Sequence, residues 1–465
     1  MKTTKRLMHL APLAMALIMG GCETLTVPDY NNPGIDEIQA NPNRTTINTQ
    51  ATGLLIGARN GISGTGGYVS ATGIIGRESY NFDASDPRFA TELLRDALNG
   101  GNGAFGGNHW VNRYANIRNA TSLLDAVDMA EAEDGVFSAA EIAAIRGFAK
   151  TIKALDFLMV VNTRDDFGAP IDVGGPPTGE PAPIVAKTEV FAEISSLLDE
   201  GDAHLQNAGT EFSFPISDGF AGFDTPDTFR EFNRALAARV AVYTGDYAAA
   251  LTALAASFID DDPAIDLADL SHGVYHVYSE GPGDLQNGLY DPSHLILLAH
   301  PSIVTDAQAG DERLDRKVVQ VPEVDDQASL GITSDRAFTI YGGTGAPVSI
   351  IRNEELILLR AEANLGLDNV DEARADINLI RQQSGGLPPI SPAAWSALTA
   401  EQRLDELLYN KRYSLLYEGH RWIDMRRYDK LDELPLDVAG LVVHRQYPFP
   451  IRECDARTPP PSRGC

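Results

Sequence analysis

The chain has 465 residues, is 43% hydrophobic and carries a formal charge of −28. Burying a large core is therefore easy, and length alone would suggest two or three domains. The acidic excess argues against nucleic-acid partners, which are held through Lys/Arg patches.

The first residues read as an export signal. Lys2, Lys5 and Arg6 make a positive start, and Leu7 to Met19 is an apolar run too short to span a hydrocarbon core about 30 Å thick. Gly20 and Gly21 directly before Cys22 resemble a bacterial lipobox, giving a signal peptide over 1–21 and an acylated Cys22. An ordinary signal peptide with an incidental cysteine is the plainer alternative. The mature chain would be more acidic still, and two or more acyl chains suffice for stable anchoring. Residues 22–45, polar with several prolines, read as a tether.

Helical patterns follow. Residues 109–130 place Trp110, Tyr114, Ile117, Leu124 and Val127 on one stripe. Residues 138–162 open with a capping box, Ser138 with Glu141. Residues 187–209 put Val190, Phe191, Ile194, Leu197, Leu198 and Leu205 on a third stripe. Segments 232–259 and 353–381 each read as helix, glycine turn, helix, with Gly245 and Gly366 at the turns, like tetratricopeptide units. No convincing run of alternating strands stands out.

Two segments, 60–109 and 260–350, are irregular and rich in Gly, Pro, Asp and Tyr, which marks them as places for binding groups. The candidate ligand contacts there are Tyr68, Arg77, Tyr80, Phe82 and Asp83 in the first, and Tyr275, Tyr278, Tyr290 and Tyr341 in the second. Aromatic faces can stack on sugar rings while Asp and Arg satisfy hydroxyls. Packing of loops onto helices explains any single ring equally well. Asp83 and Asp86 are suitable in type for a glycosidase pair, yet weak evidence among so many acids. His272, His276, His294 and His300 give poor metal spacing, with Gly273 and Val274 interrupting the first pair. The acidic run 260–269 lacks the ligand pattern of a calcium loop. P-loop, nucleophile-elbow and zincin motifs do not occur in the sequence. No cofactor is expected. Cys454 and Cys465, eleven positions apart in a Pro-rich tail, are expected to pair as a structural staple in an exported protein.

The densest cluster of polar side chains is "LLYEGHRWIDMRRYD" (415–429). The pattern from Glu401 through Asp429 reads as one helix. In such a helix Glu418 could pair with Arg421, and His420 with Asp424. No Ser or Cys neighbours His420, so a structural use is favoured, with Arg421 and Glu418 bonding buried backbone ends beside Trp422.

This stretch, preceded by "EELILLRAEANLG" and "DEARADINLIRQQSG", resembles the C-terminal signature of the SusD/RagB family of outer-membrane lipoproteins, through Glu418, Gly419, His420, Arg421 and Trp422. "HWVNRYANIRNATSLL", "AAIRGFAKTIKALDFLMVVNTRDDFGAPI", "NRALAARVAVYTGDYAAAL" and "YPFPI" extend the likeness in family order. The resemblance implies an all-α domain over 22–465, built on four tetratricopeptide-like helix pairs at about 109–259 and 351–430, with a loop face for ligand. It further implies a non-enzymatic lipoprotein anchored through Cys22 on the outer membrane. There it would bind oligosaccharides and hand them to a SusC-like TonB-dependent transporter. A peptide-binding relative of the same architecture and a glycoside hydrolase are the alternatives. The Gly-rich 60–109 segment, the short 260–350 segment and the cysteine tail depart from the family pattern.

Overall fold

The computed structural model describes residues 42–101, 108–132, 135–175, 179–326 and 330–465. The leader, Cys22 and most of the tether lie outside the described residues. Among the described residues, no helix is long and apolar enough to cross a membrane.

The protein is mostly helical. The first half contains α1 (Arg44–Arg59), α2 (Tyr68–Ile75), α3 (Arg88–Leu94), α4 (Asn108–Glu131), α5 (Ala139–Arg164) and α6 (Lys187–Leu205). Then come α7 (Pro226–Thr244), α8 (Tyr247–Ala255) and the short α9 (Leu267–Ser271), α10 (Ser302–Thr305) and α11 (Glu312–Lys317). The last third holds α12 (Asn353–Gly366), α13 (Val370–Gln383), α14 (Pro392–Ala397), α15 (Ala400–Ser414), α16 (Arg421–Arg427) and α17 (Ile451–Asp455). The expected capping box closes the start of α5: Ser138 N donates to Glu141 Oε2 (2.9 Å) and Glu141 N to Ser138 Oγ (3.3 Å). From α4 to α8 each helix packs on the next, with α1 beside α4. Their apolar stripes, including Trp110, Ile117, Val127, Ile194 and Leu198, form one continuous core.

The two helix–turn–helix segments meet although far apart in sequence, α8 packing on α12. Gly245 serves its turn, at φ +77°. Gly366 does not: it ends α12, and a Cβ there would come within 2.1 Å of the Tyr247 ring. The left-handed residue of that second turn is Asp368, at φ 61°. Gly366 thus permits close helix approach, and the turn is made two residues later.

The irregular segments hold strands that pattern reading did not find. An antiparallel sheet has the order β1 (Ser79–Asn81), β5 (Leu297–Ala299), β7 (Thr333–Phe338), β6 (Val318–Asp325), with Tyr80 opposite Leu298. β1 and β5 are three residues long and buried throughout, so they carry no alternation to detect. Two shorter pairings complete the strands. β2 (Ala169–Pro170) pairs with β3 (Ile184–Val185), and β4 (Gly273–His276) pairs with β8 (Val348–Arg352). A disulfide joins Cys454 to Cys465, and Phe449 N donates to Gly464 O (2.7 Å), fastening the tail beside α17.

The 401–429 stretch is not one helix. α15 stops at Ser414, Tyr417 (φ 60°) and Gly419 (φ 89°) turn the chain, and α16 restarts at Arg421. Tertiary contacts override the helical pattern there. Tyr417 stacks on Phe338 with ring centres 4.2 Å apart, and Tyr341 Oη donates to Tyr417 O (3.0 Å). The intrahelical pairs expected from the spacing are replaced by long-range ones. Glu418 accepts from Arg352 Nη2 (2.9 Å) and Nε (3.2 Å), and Arg421 Nε donates to Gly76 O at the end of α2 (3.1 Å). His420 lies 3.8 Å from Glu355 rather than on Asp424. Asp424 instead joins Lys411 (2.8 Å) and Arg427 (2.8 Å), both of which also bind Glu362 of α12. Arg426 Nη1 donates to Arg445 O (2.9 Å) and Nη2 to Asn162 O (2.7 Å).

Removing one partner of such a buried pair leaves an uncompensated charge, at a cost of about 3 kcal/mol. Glu418→Ala should lower unfolding stability by that order in denaturant melts while leaving ligand affinity within twofold. Unchanged stability with lost affinity would contradict this structural role.

Candidate functional site

The largest part of the predicted ligand set is built into the core. Arg77 is fully buried: Nε donates to Pro435 O (3.1 Å) and Nη2 to Val442 O (2.6 Å), clamping the 435–442 loop. Tyr80 donates to Asp437 and stacks on Phe82 (5.5 Å between centres). Tyr68, Tyr278 and Tyr341 are buried beside them in the second apolar cluster. Tyr68 Oη accepts from Asn162 Nδ2 (3.2 Å). These rings are spent on packing and on hydrogen bonds within the protein. Asp83, Tyr275 and Tyr290 remain partly exposed. Asp83 Oδ1 accepts from Ser85 N (2.9 Å) and Oγ (2.7 Å), a local turn, while Asp86 is taken by Arg88 (2.7 Å). The four histidines do not converge. Among the described residues, no group of three His, Cys, Asp or Glu side chains is placed to hold a metal ion.

The structure instead opens a cavity of about 340 Å³ between α1, α5, the 215–220 turn and the paired strands β4 and β8. That size lies within the range of small-molecule sites. Its deep wall is apolar: Leu55 and Ala58 from α1, Ile152 and Leu155 from α5, Phe220 and Ile350. Tyr275, Ser217 and Asp218 line it toward the outside, with Ile56 52% exposed. Adjacent Tyr275 and His276 both line this cavity, as does Ile350, the residue of β8 left unpaired by the register shift between Val274 and Tyr275.

Two polar features sit in the wall. Arg59 Nη1 donates to Val277 O (2.7 Å) and Nη2 pairs with Asp284. Asp284 also accepts from Ser279 Oγ (2.6 Å) and Leu285 N (2.8 Å), and these bonds together with Arg59 hold its carboxyl down at about 2. His276 is 7% exposed, and no protein group hydrogen-bonds its imidazole among the described residues. Burial, aided by the charges of Arg113 and Arg59, pushes it down to about 3, so the ring is neutral. His276, Leu155 and Ile350 are shared with a smaller chamber of about 50 Å³ below, whose walls include Tyr68, Arg239, Glu418, Gly419 and His420. The family-like seam is therefore the floor under the cavity.

Sequence reading missed Arg59, Phe220, Asp218 and Asp284, and saw His276 only as a poor metal ligand. Arg59 contacts a carbonyl 218 positions away, a pairing with no local signal.

Residues 332–448 match the model of the SusD family, a span running from β7 through α16 to the edge of the tail. Over that span the chain is similar to the SusD family. Its fold is shared with solved SusD-type proteins. A SusD superfamily protein from Bacteroides vulgatus aligns with a TM-score of 0.67 at 14% identity, over 91% of this chain and 99% of that one. A SusD-like carbohydrate-binding protein from Bacteroides fragilis gives 0.65 at 15%, over 84% and 87%. A laminarin-binding SusD-like protein gives 0.59 at 17%, over 89% and 97%. No curated protein sequence matches the chain.

His276 also predicts an acid response. An unfolded histidine takes up its proton near 6.5, whereas the folded one stays neutral down to about 3. Its contribution to stability is full above about 6.5 and is lost as pH falls, by about 1.4 kcal/mol per unit. His276→Phe should therefore lose less stability than the native chain between pH 7 and pH 4.5 in denaturant melts. Parallel curves would show a solvated imidazole.

Proposed function

We propose that this chain is a binding protein of the SusD/RagB type for oligosaccharides. In this reading it is anchored through a lipid on Cys22 at the outer face of the outer membrane, and it delivers its ligand to a SusC-like TonB-dependent transporter. The observation that carries the reading is the cavity beside Tyr275 and His276, set in a fold shared with proteins described as carbohydrate- and laminarin-binding. An apolar wall with a tyrosine at the rim suits the less polar face of a sugar ring, and Ser217 and Asp218 are placed for its hydroxyls. Modest affinity suffices, because tethering beside a transporter raises local concentration.

Hydrolysis needs a protonated carboxyl beside a second carboxylate. Asp284 is held ionised by its partners, which disfavours it as the general acid. The helices and the seam serve as a rigid scaffold in this account, and capture proceeds without bond cleavage.

Calorimetry of the full chain against a panel of neutral oligosaccharides should give saturable binding with no released product. Tyr275→Ala should weaken it about tenfold through the lost ring contact. Turnover of any glycan would establish a hydrolase instead, and binding of peptides alone would move the chain to the peptide-binding alternative. Purification from the native membrane should bring down a TonB-dependent barrel, and its absence would contradict the partner assignment.

A further inference from the structure

The chemistry of the deep wall restricts what part of a sugar can enter. Leu55, Ile152, Leu155, Phe220 and Ile350 offer carbon only. The Arg59 guanidinium is already held by Val277 O and Asp284, and Thr52 Oγ1 donates to Pro215 O (3.3 Å). Two deep groups in this lining keep hydrogen-bonding capacity unspent among the described residues: Arg59 Nε, which is buried without a partner, and His276, more than nine-tenths buried and lining both chambers.

A plain hexose carries hydroxyls in every direction. Sunk into this wall it would leave most of them unpaired, each weakening binding by roughly tenfold. A group with one polar function and an apolar remainder fits instead. An acetamido substituent is such a group: its methyl packs on leucine and isoleucine, and its amide meets one imidazole nitrogen. A neutral imidazole can either give its N–H to the acyl oxygen or receive the amide N–H on its lone pair, and the other end of the amide then stays toward the rim. The sugar ring then stays at the rim, against Tyr275 with Ser217 and Asp218.

Resting on the glycan-binding reading above, we infer that this cavity is a specificity pocket for the N-acetyl group of an amino sugar, with His276 as the residue that recognises the amide. Burial beside two arginines keeps the ring in the neutral form this recognition requires.

Two tetrasaccharides that differ only in this group decide the matter: chitotetraose, with an acetamido on every ring, and cellotetraose, with a hydroxyl in its place. Calorimetry on the full native chain should show chitotetraose binding at least tenfold more tightly. His276→Phe, checked for folding by its thermal melt, should bring the two affinities within twofold. Leu155→Trp, which fills the pocket from the opposite wall, should do the same. Equal affinities in the native chain overturn the inference without any variant, as does a folded His276→Phe that keeps the preference. Binding of another glycan in place of both tetrasaccharides overturns the inference and leaves the broader reading standing. Binding of peptides alone, or of no glycan, overturns both.

Discussion

Arg352 is the residue on which the lower half of the structure turns. It ends β8, precedes α12, and is buried with its guanidinium shared between Glu354, Glu418 and the carbonyl of Ser414 (2.6 Å). Opposite it on β4 stands Gly273, where a Cβ would come within 2.6 Å of the Arg352 backbone. The contact therefore fixes three things together: the start of α12, the turn after α15, and the strand pair that carries Tyr275 and His276. A buried ion pair offers little net stability over an apolar one, because both charges must be desolvated. What it supplies here is position, since one guanidinium bonds to groups at the start of α12, at the end of α15 and in the turn that follows it. The companion cluster of Glu362, Lys411, Asp424 and Arg427 locks α12, α15 and α16 in the same way.

That fastening gives the cavity its character. Its walls come from α1 and α5 on one side and from the paired strands β4 and β8 on the other, so its shape depends on rigid elements. The 215–220 turn adds Phe220 to the deep wall and makes the rim together with residues near 284. Glu418 and His420 sit beneath it. The segment richest in functional groups is thus built into the scaffold, and the chemically plain wall lies above it.

Much of the fold is legible in the sequence because long amphipathic helices advertise themselves. The stripes of α4, α5 and α6, the Ser138 capping box and the Gly245 turn all lie where pattern and cap chemistry put them. The failures share one cause, which is contact between residues remote in sequence. Tyr417 and Gly419 break a helical pattern because Phe338, Tyr341 and Tyr68 pack against the break. Gly366 looks like a turn residue but answers to Tyr247, more than a hundred positions earlier. The site suffered most. Tyr80 and Tyr341 have the composition of ligand contacts but are consumed by Asp437 and Tyr417. Arg59 and His276 meet only through the folded chain. Residue type in a loop says that a side chain can bind something, and burial decides whether that something is the protein itself.

The central claim is that ligand enters the cavity between α1, α5 and the paired strands β4 and β8. A crystal structure of the full mature chain with a bound oligosaccharide tests it most directly. The account predicts electron density for a sugar against Tyr275, with a substituent reaching the His276 imidazole past Leu155 and Ile350. Density for the same oligosaccharide on the loops around Asp83 and Tyr290, with this cavity empty, would contradict it.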